Sequence, residues 1–178
     1  MNTGQTMLTM GALMLLSYTV LNFNRSLSNT DISLSQNRYR MEALSILNTH
    51  IQRATQYYFD EASVDTSNGK NLTDFTLPNN LGLETNDAGI IDDFDDYNNY
   101  TLNDTGRSGV IYKVTFAVNY MKLAGGNLIA HGGRTYNKRM TVSVIDNYND
   151  PLIYKQVNGL KVKDTLTVSF IKSYWFYN

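Results

Sequence analysis

Asp92, Asp93, Asp95 and Asp96 crowd the stretch IIDDFDDYNNYTLND, and Asp104 closes it. Carboxylate oxygens at such spacing are hard ligands of the kind Ca2+ takes. The stretch lacks the turn glycine and the terminal glutamate that an EF-hand loop places at fixed positions. Two expectations stand for it. One is a calcium site built from Asp92, Asp93, Asp95 and Asp96. The other, and the plainer, is a solvated acidic loop helped by Asn98 and Asn99.

The remaining chemistry is sparse. The two histidines, His50 and His131, are isolated from one another in sequence, whereas a zinc site wants three or four ligands. His131 belongs to AHGGR, which reads as a glycine-rich hairpin loop, and no Gly-x-Ser-x-Gly elbow accompanies it. LAGGN lacks the Gly-Lys-Ser/Thr ending of a phosphate loop. With no cysteine, the chain has no disulfide framework, Cys-based zinc site or thiol nucleophile. A net charge of -1 gives no electrostatic case for nucleic-acid binding. No triad or paired acid and base argues for an enzyme. Asn-x-Ser/Thr sequons occur at Asn71, Asn99 and Asn103, all in stretches read as loops. The 13 tyrosines suit interfaces and packed cores alike.

The elements that carry these groups begin with MNTGQTMLTMGALMLLSYTVLNF. The first charged residue is Arg25, and polar side chains interrupt the run Met7 to Phe23 only at Thr9, Ser17, Thr19 and Asn22. As a helix this run reaches about 25 Å, slightly short of the ~30 Å hydrocarbon core of a bilayer. A secretory signal begins with a basic segment and ends in small residues. Neither is present, so a membrane anchor or a packing helix is expected. From Ser26 to about Asp60 there is no Pro or Gly. Leu44, Leu47, Ile51, Ala54 and Tyr58 recur at helical spacing and predict a face packed on a sheet. The polar group Asn29, Thr30, Asp31 and Ser33 predicts a bend or an interruption, because short polar side chains compete for backbone bonds.

Gly4 followed by QTMLTMGALMLLSYTVL resembles the N-terminus of type IV pilins and of type II secretion pseudopilins. The resemblance implies a leader that ends at Gly4 and is removed by a prepilin peptidase, leaving Gln5 first. It implies an inner-membrane-anchored precursor whose helix then packs with copies of itself inside an extracellular, cell-surface filament. Met7, Leu8, Gly11, Ala12, Leu15, Leu16, Val20 and Phe23 would form that assembly helix. The sequence departs from the family at Gln5 and at Thr9, which stands where the family carries Glu. That Glu neutralises the amine of a neighbouring subunit, and Thr9 has no charge to do so. Some minor pseudopilins also lack it. A minor pseudopilin, or a membrane-tethered binding module of a secretion or DNA-uptake machine, is therefore the second expectation. Some major pseudopilins bind calcium in a loop of the globular domain, which adds to the calcium reading of the aspartates.

The distal part reads as β-rich. After Asp60, Gly, Asn, Asp, Ser and Thr dominate, with a short strand expected at Phe75 to Leu77. Gly109 to Met121 alternates strictly, with Val110, Tyr112, Val114, Phe116 and Val118 on one face. Met140, Val142 and Val144 share a face of a second strand, and Leu166, Val168 and Phe170 of a third. The expectation is an α+β fold, with a long N-terminal helix packed on an antiparallel sheet. Residues 1–25 are the hydrophobic helix and residues 26–178 the globular domain, including an amphipathic helix over 26–60. No cofactor beyond Ca2+ is implied.

Overall fold

A computed structural model describes residues 2–64, 68–84 and 89–175. Helix α1 runs over Thr3–Gln56, 54 residues without a break. The chain divides into two units, Met1–Tyr39 and Arg40–Asn178, and α1 contributes to both.

In the first unit the helix is largely exposed, and apolar over Met7 to Phe23. Its hydroxyls bond back to its own carbonyls: Thr9 Oγ1 donates to Thr6 O at 2.9 Å, and Thr19 Oγ1 to Leu16 O at 2.8 Å. The interruption expected at Asn29 to Ser33 does not occur. Thr30 Oγ1 donates to Ser26 O at 2.9 Å, so that hydroxyl is satisfied without unwinding the backbone.

In the second unit α1 buries Ala43, Ile46, Leu47, His50 and Ala54. Leu47 and Ala54 were expected on this face. Leu44 is 37% exposed, and Tyr58 lies beyond the end of the helix. The stripe is thus turned slightly from the expected one, because His50 counts as a buried member.

The main sheet is antiparallel, in the order β1-β2-β4-β7, with β3 also pairing with β2. β1 spans Thr101–Thr105, β2 Ile111–Ala124, β3 Asn127–Ala130, β4 Asn137–Asp146 and β7 Leu166–Ser173. β5 (Tyr154–Val157) and β6 (Leu160–Lys163) form a separate hairpin. Gly125 and Gly126 turn the β2–β3 hairpin, both at positive φ, as a tight two-residue turn between right-twisted strands requires. The alternation read in β2 holds: Tyr112, Val114, Phe116, Val118 and Tyr120 are all buried. On β4, Met140, Val142 and Val144 have no exposed surface. Register sets Val114 opposite Val144, Phe116 opposite Val142 and Val118 opposite Met140. These cross-strand pairs make one continuous apolar face.

Two local expectations are corrected. Phe75 to Leu77 is not a strand. Phe75 is instead a core anchor, packed with Phe59, Leu81 and Tyr120, and burial of the ring decides its place rather than ladder bonding. Asn103 lies within β1, not in a loop, although its side chain is exposed.

Candidate functional site

Two places stand out: the apolar half of α1 and a buried charge cluster in the second unit. On the helix, Met7 is 77% exposed, Leu8, Leu15, Leu16 and Phe23 at least 60% and Val20 50%. Gly11 and Ala12 are exposed too. Apart from its chain neighbours and the backbone of its own helix, no heavy atom lies within 4 Å of where a Cβ would stand on Gly11, so its surface is open to close approach. Gly4 and Gln5 sit in the first turn of α1 and are also exposed. This helix is long and apolar enough to cross a membrane, and none of its most apolar window is buried.

The acidic stretch is placed otherwise than expected. Asp92 is exposed, but Asp93, Asp95 and Asp96 are each only 1% exposed, so the solvated loop is ruled out. The carboxylates hold the turn itself. Asp93 Oδ1 accepts from the backbone N–H of Asp95 at 2.8 Å and of Asp96 at 3.1 Å. Asp96 Oδ2 accepts in return from the N–H of Asp92 at 2.9 Å and of Asp93 at 3.2 Å. Reciprocal capping of this kind satisfies amides that would otherwise be orphaned. Among the described residues, no group of three or more His, Asp or Glu side chains could hold a metal ion. The calcium ligands expected at Asp92, Asp93, Asp95 and Asp96 are thus spread between solvent, backbone amides and a lysine.

That lysine is Lys138, on β4 and fully buried. Its Nζ donates to Asp60 Oδ2 at 2.7 Å, to Asp95 Oδ1 at 2.5 Å and to Phe59 O at 2.8 Å. It lies 4.5 Å above the centre of the Phe59 ring and 5.2 Å from that of Tyr120. Asp60 ends the segment that leaves α1 and caps the short 3-10 turn Glu61–Ser63. Its carboxylate also accepts from Thr76 N at 2.9 Å and Ala62 N at 3.3 Å. Tyr120 OH donates to Thr76 O at 2.7 Å and reaches Asp60 Oδ2 at 3.4 Å.

Burial pushes the Asp95 carboxyl up to about 8. The attraction of Lys138 opposes this, while the charges of Asp93 and Asp60 add to it. Burial likewise raises Asp93, against the pull of Lys138 and of the amides it caps. Lys172 on β7, opposite Lys138 in register, is lowered to about 8 by burial and by Lys138, against the pull of Asp93. It donates to Thr55 O and Tyr57 O at the end of α1. Buried charges this close are tolerated only when each is paired or neutral.

Sequence reasoning passed over Lys138, although a signal was present. Extending the alternation Met140, Val142, Val144 back by one step puts Lys138 on the same inward face. A lysine in a core register demands a buried partner. The histidines form no site together. His50 Nε2 lies 3.0 Å from Asp104 Oδ2 and its ring meets Phe116 edge-on, which ties α1 to the edge strand, while His131 is exposed.

No family model matches the chain, and no curated protein or solved structure matches it significantly.

Proposed function

We propose that this chain is the structural subunit of an extracellular pilus-like filament, assembled through its hydrophobic N-terminal helix. The supporting observation is the run Met7 to Phe23: an uninterrupted helix, apolar on its sides and exposed throughout. Such a surface is stable only in lipid or inside a protein core. A membrane supplies the first before assembly, and a bundle of identical helices supplies the second afterwards. Repetition of one head-to-tail contact then generates an open helical polymer, with the α+β domain on its outside.

Electron microscopy of the shed cell-surface fraction tests the reading. Filaments composed of this chain alone are the expected result. A second reading keeps the same membrane helix but assigns a minor role, as a pseudopilin-like adaptor or a tethered binding module. Thr9 favours it, since an uncharged hydroxyl bonded to Thr6 O cannot neutralise a neighbour's amine. In that case the chain stays in the membrane fraction, and filaments lack it or carry it in trace amounts.

A further inference from the structure

We propose that Lys138 and Asp95 condense to an intramolecular amide, with Asp60 as the proton acceptor. The three groups already form a reaction geometry. Lys138 Nζ is 2.5 Å from Asp95 Oδ1 and 2.7 Å from Asp60 Oδ2, which puts the Asp95 carboxyl carbon one bond beyond the contact. All three side chains are buried, and the rings of Phe59 and Tyr120 flank the nitrogen. In water, amine and acid persist as ammonium and carboxylate because both ions are hydrated. Burial removes that hydration. Fixed juxtaposition replaces a bimolecular encounter, an effect equivalent to roughly 10⁵ M or more in well-oriented systems.

The roles follow from the hydrogen bonds. Asp60 receives two backbone N–H groups, from Thr76 and Ala62, besides the ammonium. Those contacts fix it beside the nitrogen as the group placed to accept a proton. Asp95 sits against the charges of Asp93 and Asp60, which favour its protonated form, and a protonated carboxyl can release water.

The step balances without any co-reactant. The Lys138 ammonium passes one proton to Asp60, and the freed Nζ lone pair attacks Asp95 Cγ to form the C–N bond. The tetrahedral carbon then loses its hydroxyl, which takes a second nitrogen proton and leaves as water. The products are a secondary amide, one water and a protonated Asp60; nothing is oxidised or reduced. A desolvated lysine is a recognised nucleophile, and exclusion of water protects the amide from the reverse reaction. The bond ties the acidic turn to a central strand.

Peptide mapping of the full chain, extracted from cells in detergent, denatured and digested with trypsin, tests the proposal. Acylated Lys138 resists trypsin, so residues 71–107 and 135–139 are expected as one joined species. Its mass is lower by one water than the sum of the two peptides. Asp95→Ala and Asp60→Asn proteins should yield residues 71–107 unjoined, with cleavage after Lys138. Cleavage after Lys138 in the wild-type chain, with no joined species, overturns the proposal even if every variant misfolds. A species joining Lys138 to residues 54–70, which carry Asp60, overturns the assignment of the electrophile. Undiminished joining in Asp60→Asn overturns the role of Asp60.

Discussion

Glu42 on α1 holds Ser108 in the turn between β1 and β2: Oε2 accepts from Ser108 Oγ at 2.5 Å, and Oε1 from its backbone N–H at 3.1 Å. Tyr112 OH donates to the same carboxylate at 3.2 Å. The contact is a clasp between helix and sheet, and it leaves no room at Gly106. A Cβ there would stand 2.7 Å from Glu42 Oε2 and 2.8 Å from Tyr112 Cε2. Hydrogen bonds to a charged group contribute about 1.5–3 kcal/mol each when partly buried. Glu42→Ala is therefore expected to cost about 2 kcal/mol in denaturant unfolding. Gly106→Ala should destabilise through the same clasp, and its effect should shrink when combined with Glu42→Ala. Strict additivity of the two would dissolve the link.

A chain shortened to begin at Ser26 is expected to be soluble and cooperatively folded, because it retains the whole of the second unit and discards the exposed apolar run. A sharp thermal transition with native circular dichroism checks this. Aggregated, unfolded material would mean that the boundary is misplaced.

Calcium at millimolar concentration should leave the melting temperature of that shortened chain unchanged. A ligand of the folded state raises stability once its concentration exceeds its dissociation constant. Here Asp93 Oδ1 and Asp96 Oδ2 are held by backbone amides, and Asp95 Oδ1 by Lys138. An upward shift lost in the Asp93→Asn, Asp95→Asn double variant would restore the metal reading.

Lys172 should make stability depend on pH in a defined window. Its folded pKa is lowered to about 8 from 10.5, so between those values the unfolded chain binds more protons than the folded one. Stability from this group therefore rises as pH rises from 8 toward 10.5. Tyr97, raised to about 12 by burial, acts in the opposite direction at the alkaline end, and is common to both proteins compared. The melting-temperature difference between wild type and Lys172→Met should grow in favour of wild type across this window. A flat difference would show that Lys172 keeps its ordinary proton affinity.

Gly11→Leu is expected to impair filament formation while sparing membrane insertion, since it adds bulk at a small-residue position but no polarity. Val20→Arg should impair both, given a cost of about 3 kcal/mol for a charge near the bilayer centre. Membrane flotation and microscopy of the cell-surface fraction separate the two effects. Normal assembly by the Gly11→Leu protein would reduce the helix to a tether.

How much was legible beforehand follows from the range of each signal. The apolar run Met7 to Phe23 and the alternations in β2, β4 and β7 are local patterns with periods set by backbone geometry. The sequence by itself therefore determined the membrane-competent helix, the three longer strands and which of their faces turns inward. Even the break expected at Asn29 to Ser33 was a local argument, lost because Thr30 bonds back to Ser26 within the helix. The fate of the aspartates was not local. IIDDFDDY looks like a solvated acidic loop until a lysine arrives from 43 residues away. Asp60 looks like a loop residue until the same lysine reaches it across 78 residues. Charge pairing depends on distance in space and on the dielectric around the pair, and neither quantity is written in neighbouring residues. Only the tertiary structure, by closing β4 over the segment that leaves α1, decided that these carboxylates are buried and that Asp60 and Asp95 meet an amine.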